Sequence, residues 1–305
     1  MLKRTGMLLG LFLATSVQPL WAAQPQQVAT QQQPENPYQQ PLQEEEAELQ
    51  QRLRLGQWGD DDGINEPALS INEPVYFIVG QDPFGDDDDI KARFQISFKY
   101  RMFSEDGYVA DLLPVMKHFH LGYTQTSLWN LSADSKPFED SSYRPSFFFE
   151  FDKVNDGWLP DFWRTGYEHE SNGQAGEESR SIDMYYIQPA WTWDVGDREL
   201  MFAPKFYGYL TKGDENEDID DYRGYVDMLV RYGHEDGVLA SLTGRLGNAG
   251  KGSLQLDLSY PIREKIFSRA GGYIYLQLFH GYGDSFLTYD QKQDLQVRIG
   301  FAIVR

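Results

Sequence analysis

Residues 158–171 read WLPDFWRTGYEHES, and the phase of this stretch decides the fold. Extended, it puts Leu159, Trp163, Thr165 and Tyr167 on one face and Arg164, Glu168 and Glu170 on the other. An apolar, aromatic-ended face opposite a charged one suits a wall between hydrocarbon and a polar lumen. The same alternation runs on either side. Strands are expected near 74–81, 91–103, 116–131, 143–153, 158–171, 179–193, 199–211, 221–234, 238–247, 252–260, 268–281 and 292–304. That is twelve, and bacterial single-chain barrels need an even number. Turns at 154–157, 194–197 and 233–237 alternate with longer polar loops at 82–90, 132–142, 172–178, 212–220 and 282–291, the short-side and long-side asymmetry of such barrels. The expected fold class is all-β: a twelve-stranded antiparallel transmembrane β-barrel with a disordered N-terminal tail. A soluble β-sandwich is the competing architecture, but its strands are usually shorter and carry no paired aromatic belts.

Composition narrows the function. The chain has 305 residues, a net charge of −20 and no cysteine. That acidity excludes nucleic acid as a partner, and the absence of Cys excludes disulfides, thiolate metal sites and cysteine nucleophiles. Lys3 and Arg4, an apolar run at 7–17 and Ala22-Ala23 read as a cleaved secretory signal peptide over 1–23. Residues 24–70, rich in Gln, Pro and Glu, read as a periplasmic tail with at most a short helix at 42–55. The barrel domain is expected over 71–305. The charge is localised: 24–70 carries 9 acids and 2 bases, 82–90 carries 5 acids and no base, and 211–221 carries 6 acids and one base. The strands are left almost neutral, and the acidic loops form a surface that attracts divalent cations.

One constellation carries chemistry. His169 and Ser171 are two apart and share the outward, lipid-facing side of the fifth strand. A hairpin centred on Gly176 pairs residues summing to 352, which sets His169 opposite Asp183. Opposed residues have Cβ atoms ~4.5–5.5 Å apart, within reach of a carboxylate–imidazole hydrogen bond. A hydroxyl needs a base to take its proton, and the base needs a partner to fix its tautomer. Ser171, His169 and Asp183 supply those roles, and the Gly173 N–H follows as an oxyanion donor. There is no G-x-S-x-G, so a strand-to-helix nucleophile elbow is excluded. An ordinary polar rim is the alternative reading. Gln125 shares the apolar face of the third strand with Phe119, Leu121, Tyr123 and Trp129; an amide facing lipid points to a neighbouring barrel. His118 and His120 share a face but have no third ligand.

HESNG at 169–173 with its preceding strand, SRSID at 179–183, YTQTSLWNLS at 123–132, DSKPFEDSSYRP at 134–145 and the later SYPI and GYGDS segments resemble the outer membrane phospholipase A family over roughly 73–304. The resemblance implies a twelve-stranded barrel in the bacterial outer membrane that hydrolyses phospholipid acyl esters (phospholipase A1/A2 and lysophospholipase activity). It also implies dependence on Ca²⁺ and an active homodimer. It matches Ser171 to the nucleophile and His169 to the base, and Asp183 stands where the family usually has Asn. For calcium it implies Ser179, Ser135, the Gln174 carbonyl and, at a second position, Glu215. Gly176 replaces a ligating Asp, for which Glu177 or Glu178 could substitute. At the dimer interface the family has Gln at the position of Gln125. The competing function is a non-enzymatic channel or a surface-binding barrel.

Overall fold

A computed structural model describes residues 68–81, 83, 89–152, 158–234, 236–262 and 272–305. The signal peptide, almost all of the tail with its 42–55 helix, the 154–157 turn and most of the 82–90 loop lie outside the described residues. The strands are β1 (Leu69–Ser70), β2 (Val75–Gln81), β3 (Lys91–Arg101), β4 (Phe119–Asn130), β5 (Phe138–Asp152), β6 (Phe162–Ser171), β7 (Ser181–Val195), β8 (Arg198–Phe202), β9 (Lys205–Lys212), β10 (Val226–Gly233), β11 (Leu239–Leu246), β12 (Gly252–Pro261), β13 (Tyr273–Tyr282) and β14 (Lys292–Val304). All pairings are antiparallel between neighbours; β14 pairs with β2, and β3 pairs with both β2 and β4, closing the sheet into a barrel.

Twelve staves are made from fourteen segments. The stave expected over 199–211 is split into β8 and β9, because Pro204 has no N–H to give the ladder. Ala203 still donates to the Leu229 carbonyl, so both halves stay between β7 and β10. The first stave is likewise interrupted: β1 and β2 both pair with β3, and between them Asn72, Glu73 and Pro74 line the lumen.

Several boundaries differ from expectation: β6 begins at Phe162 and not at 158, and β10 at Val226 and not at 221, because Asp220–Arg223 forms a short helix. β5 begins at Phe138 and not at 143, although Glu139-Asp140-Ser141-Ser142 looks like loop. The lumen holds these polar groups: Asp140 accepts the Leu287 N–H and Ser142 donates to Glu170. β4 begins at Phe119 and not at 116, since Pro114–His118 forms a 3₁₀ turn after the short helix α1 (Tyr108–Leu112). His118 therefore packs on Phe151, while His120 enters the lumen beside Glu150. They do not form a metal pair.

The two faces are as the opening strand requires. Outward lie Ile96, Phe98, Leu121, Phe147, Tyr185 and Phe301, all exposed. Inward, charges are paired: Lys99 and Arg164 with Glu150, Arg144 with Glu73, Lys205 with Glu168, Arg223 with Glu170, Arg245 with Asp227, and Arg298 with Asp284. Buried charges persist only when neutralised and hydrogen-bonded. An apolar cluster of Phe148, Ile182, Met184, Tyr186, Tyr207 and Ile219 fills the inner side of the wall behind β6 and β7, with Phe286 and Tyr289 packed on it. That packing gives the outer face of the β6–β7 hairpin a rigid backing.

Candidate active site

The β6–β7 hairpin supplies the site. Its pairs run from Phe162↔Ala190 to Ser171↔Ser181 without a shift, and His169 faces Asp183. This is the register the sequence predicts from a turn centred on Gly176. The loop between the strands is held by Asn172, buried at the end of β6: its Oδ1 accepts the Gln174 and Arg180 N–H groups and its Nδ2 donates to the Glu178 carbonyl. Gly173 has φ +69°, and a Cβ there would stand 3.3 Å from the Tyr143 ring, so both backbone and space call for glycine.

His169 Nδ1 lies 2.8 Å from Asp183 Oδ1. The Tyr167 hydroxyl also donates to Oδ1, and the Thr211 hydroxyl of β9 donates to Oδ2. The His169 and Asp183 side chains are 34% and 27% exposed, so this polar group opens on the outer wall and not into the lumen. A carboxylate only accepts, so Nδ1 is the donor in this contact, and in a neutral ring that leaves Nε2 as the acceptor nitrogen a general base requires. Ser171 is one same-face step further toward the loop, directly opposite Tyr143 on β5 and Ser181 on β7. Among the described residues neither the Ser171 hydroxyl nor the Gly173 N–H has a hydrogen-bond partner within the chain. Both groups are open to a ligand.

The remaining candidates are more scattered. Ser179 follows the 3₁₀ turn Gly176–Glu178, and its N–H is tied to the Gly176 carbonyl. Ser135 sits exposed at φ 62° in the β4–β5 loop, and Glu215 lies in the 3₁₀ turn Asp214–Asn216. Among the described residues no hydrogen bond joins Ser135 or Glu215 to Ser179 or Gln174, and no group of three or more His, Asp or Glu able to hold a metal is present. The donors at these positions are nevertheless all oxygen, the class Ca²⁺ accepts. Glu177 and Glu178 are exposed beside Ser179, and the Gln174 carbonyl accepts no hydrogen bond within the described residues. Gln125 faces outward on β4, where the Tyr123 hydroxyl donates to its Oε1 and its Nε2 donates to Ser127.

Three contributors escaped the sequence reading. Asn216, fully buried, accepts the Ser181 N–H and donates to the Ser181 carbonyl, pinning the β9–β10 loop to the start of β7. Tyr143 and Thr211 border the site from strands whose register the sequence does not state. Only Tyr167, two residues before His169, carried a readable signal, since it shares the outward face.

Residues 74–304 match the family described as Phospholipase A1. Phospholipase A1 of Escherichia coli K12 is 31% identical over 186 residues, 60% of this chain and 60% of that protein. The chain thus spans about 60% of the length of the curated relatives it matches. Outer membrane phospholipase A from Escherichia coli superimposes with a TM-score of 0.63 at 26% identity, covering 82% of this chain and 96% of that one. A Salmonella typhi outer membrane phospholipase, a dimer with bound calcium, superimposes with a TM-score of 0.64 at 24% identity, covering 79% and 94%. With a family match that runs through the whole barrel, the chain belongs to the phospholipase A1 family.

Proposed function

We propose that this protein is an outer-membrane serine hydrolase that cleaves phospholipid acyl esters. One observation carries the reading: the 2.8 Å contact between His169 Nδ1 and Asp183 on the lipid-facing wall, one step from Ser171. A solute channel acts through its lumen, where the inward charges are already neutralised in pairs along the wall. A hydrolase of membrane lipid needs its site on the outside, beside the acyl chains.

Ser171 attacks the ester carbonyl while His169 Nε2 takes its proton, then returns it to the leaving glycerol oxygen. Asp183 holds the ring and stabilises the imidazolium. The Gly173 N–H stands next to the nucleophile as a donor to the developing oxyanion. Water then repeats the sequence on the acyl-enzyme and releases fatty acid. Ca²⁺ would be held by Ser179, Ser135 and the Gln174 carbonyl, with anionic charge from Glu177 or Glu178 and a second position at Glu215; bound there, it supplies Lewis-acid polarisation of the ester oxygen. The acidic loop over 211–221 raises the local cation concentration. Export by the 1–23 signal peptide and association into a homodimer complete the reading.

The test is release of fatty acid from phospholipid in mixed detergent micelles, with Ca²⁺ or with EDTA. Wild type should hydrolyse and Ser171→Ala should fall by at least 10³-fold. Equal rates for the two proteins would overturn the assignment, and equal rates in Ca²⁺ and EDTA would remove the metal.

A further inference from the structure

β9 carries a fault in its alternation. Tyr207 and Tyr209 point inward into the apolar cluster, while Phe206 and Leu210 are exposed at 43% and 57%. Strict alternation would send Thr211 inward after Tyr209. It does not go there. Against β7, Met184 pairs with Tyr209 and Asp183 with Thr211, so a single step on β7 is matched by two on β9. Leu210 is the extra residue of a β-bulge, and Leu210 and Thr211 are consecutive exposed positions. Bulges of this kind re-aim one side chain and are common beside active sites.

The re-aimed hydroxyl meets Asp183. Of the two carboxylate oxygens, Oδ1 accepts from His169 and Tyr167, and Oδ2 accepts from Thr211. The side-chain torsion that rotates an Asp carboxylate is broad, so a single bond to His169 leaves its plane undetermined. A donor on the second oxygen, from a different strand, fixes that plane. It also satisfies a carboxylate that stands on a wall facing hydrocarbon, where an unsatisfied charge is costly. Past the bulge and the Asp183–Thr211 pair the ladder continues for a single pair, Ile182 with Lys212, before the loop begins.

We propose that Thr211 is a positioning residue of the hydrolase site, brought to the outer face by the Leu210 bulge so that its hydroxyl orients Asp183 toward His169. The proposal rests on the Ser171–His169–Asp183 reading above. It acts on the efficiency of the proton transfer and not on lipid binding.

The experiment uses the full-length protein in mixed phospholipid–detergent micelles with Ca²⁺, comparing wild type, Thr211→Val, Thr211→Ser and Ser171→Ala. Thr211→Val keeps the shape and removes the donor; kcat should fall roughly tenfold or more, as for a lost hydrogen bond to a charged group, with KM within about twofold. Thr211→Ser restores the donor and should recover kcat to within about threefold of wild type. In an Asp183→Ala background the Thr211→Val change should have no further effect, because the group it positions is gone. Far-UV circular dichroism in detergent confirms that each variant keeps the folded barrel. If Ser171→Ala is inactive while Thr211→Val retains wild-type kcat, the positioning role is overturned and the hydrolase reading stands. Equal losses in Thr211→Val and Thr211→Ser would also overturn it, since the hydroxyl would then not be the cause. Wild-type hydrolysis by Ser171→Ala would instead sink the reading on which both rest.

Discussion

Ser171 and Gln125 stand on one lateral row of the outer wall, two strands apart, with Tyr143 opposite both of them. At ~4.8 Å per strand the two residues are roughly 10 Å apart. A second barrel docked over Gln125 would therefore stand beside Ser171 and wall one side of a cleft on the outer face. Within the chain, Gln125 is already bonded to Tyr123 and Ser127, so its amide is not left unsatisfied without a partner. Its contribution to association should then be modest. Interhelical bonds measured in membranes average ~0.6 kcal/mol, which scales to about a threefold weaker dimer for Gln125→Leu. Gln125→Arg should abolish the dimer. Sedimentation equilibrium in detergent with Ca²⁺ reads both; association unchanged in the Arg variant would place the interface on another face.

Replacement of Asp183 separates orientation from charge. Asp183→Asn keeps an oxygen for the His169 Nδ1 donor, and its amide can donate to the Thr211 hydroxyl. Asp183→Ala removes both contacts and leaves Tyr167 and Thr211 without their acceptor. The expected order in kcat is wild type, then Asn within about tenfold, then Ala well below that, toward the large losses seen when a triad acid is removed. Hydrolysis of a phospholipid at saturating concentration measures it. An Ala variant within tenfold of wild type would strike Asp183 from the site.

The barrel and the β6–β7 hairpin were legible because period-two alternation is a local property. It needs only neighbours in sequence, and a symmetric turn fixes the register of one hairpin. What the sequence hid was each place where a long-range partner overrode the local pattern. The run Glu139–Ser142 is a strand because Leu287 of the β13–β14 loop and Glu170 of the neighbouring β6 satisfy its polar groups on the lumen side. Pro204 breaks a stave that a continuous pattern joined. Thr211 reads as an inward residue until the bulge at Leu210 is seen, and no residue type near it announces a bulge. The calcium positions came from resemblance alone, since loop oxygens from separate hairpins leave no spacing to read.

Asn216 tests how the β9–β10 loop supports the site. Its side chain completes both backbone bonds of Ser181, two residues before Asp183 and opposite Ser171, while fully buried. Asn216→Ala leaves the Ser181 N–H without its acceptor, at about 1–3 kcal/mol, while the Ser181 carbonyl keeps the Gly213 N–H. Activity should fall severalfold while the barrel remains folded, and amide exchange at Ser181 should accelerate. Exchange unchanged from wild type would show that the loop does not brace β7.

Acid should release the β13–β14 loop before it unfolds the barrel. Asp284 lies in that loop and is buried; burial opposes its charge, but Arg298 and Arg93 more than offset this, and the carboxyl titrates below its ordinary range. A depressed folded-state value means that the ion pair contributes its full stability above the unfolded value near 3.9 and loses it as pH falls through the folded one. Between about pH 5 and 9 this group should therefore give no slope. Below about pH 4 the loop should loosen, carrying Phe286 and Tyr289 away from Ile219 and Tyr222, against which they pack. Asp284→Asn should be destabilised already at pH 7, by about 3–5 kcal/mol, because Arg298 is left as a buried cation that has lost its carboxylate. Its stability should then change little between pH 5 and pH 3, where wild type declines. Thermal unfolding in detergent at pH 7, 5 and 3 distinguishes the two; parallel declines in wild type and variant would assign the acid sensitivity to another carboxylate.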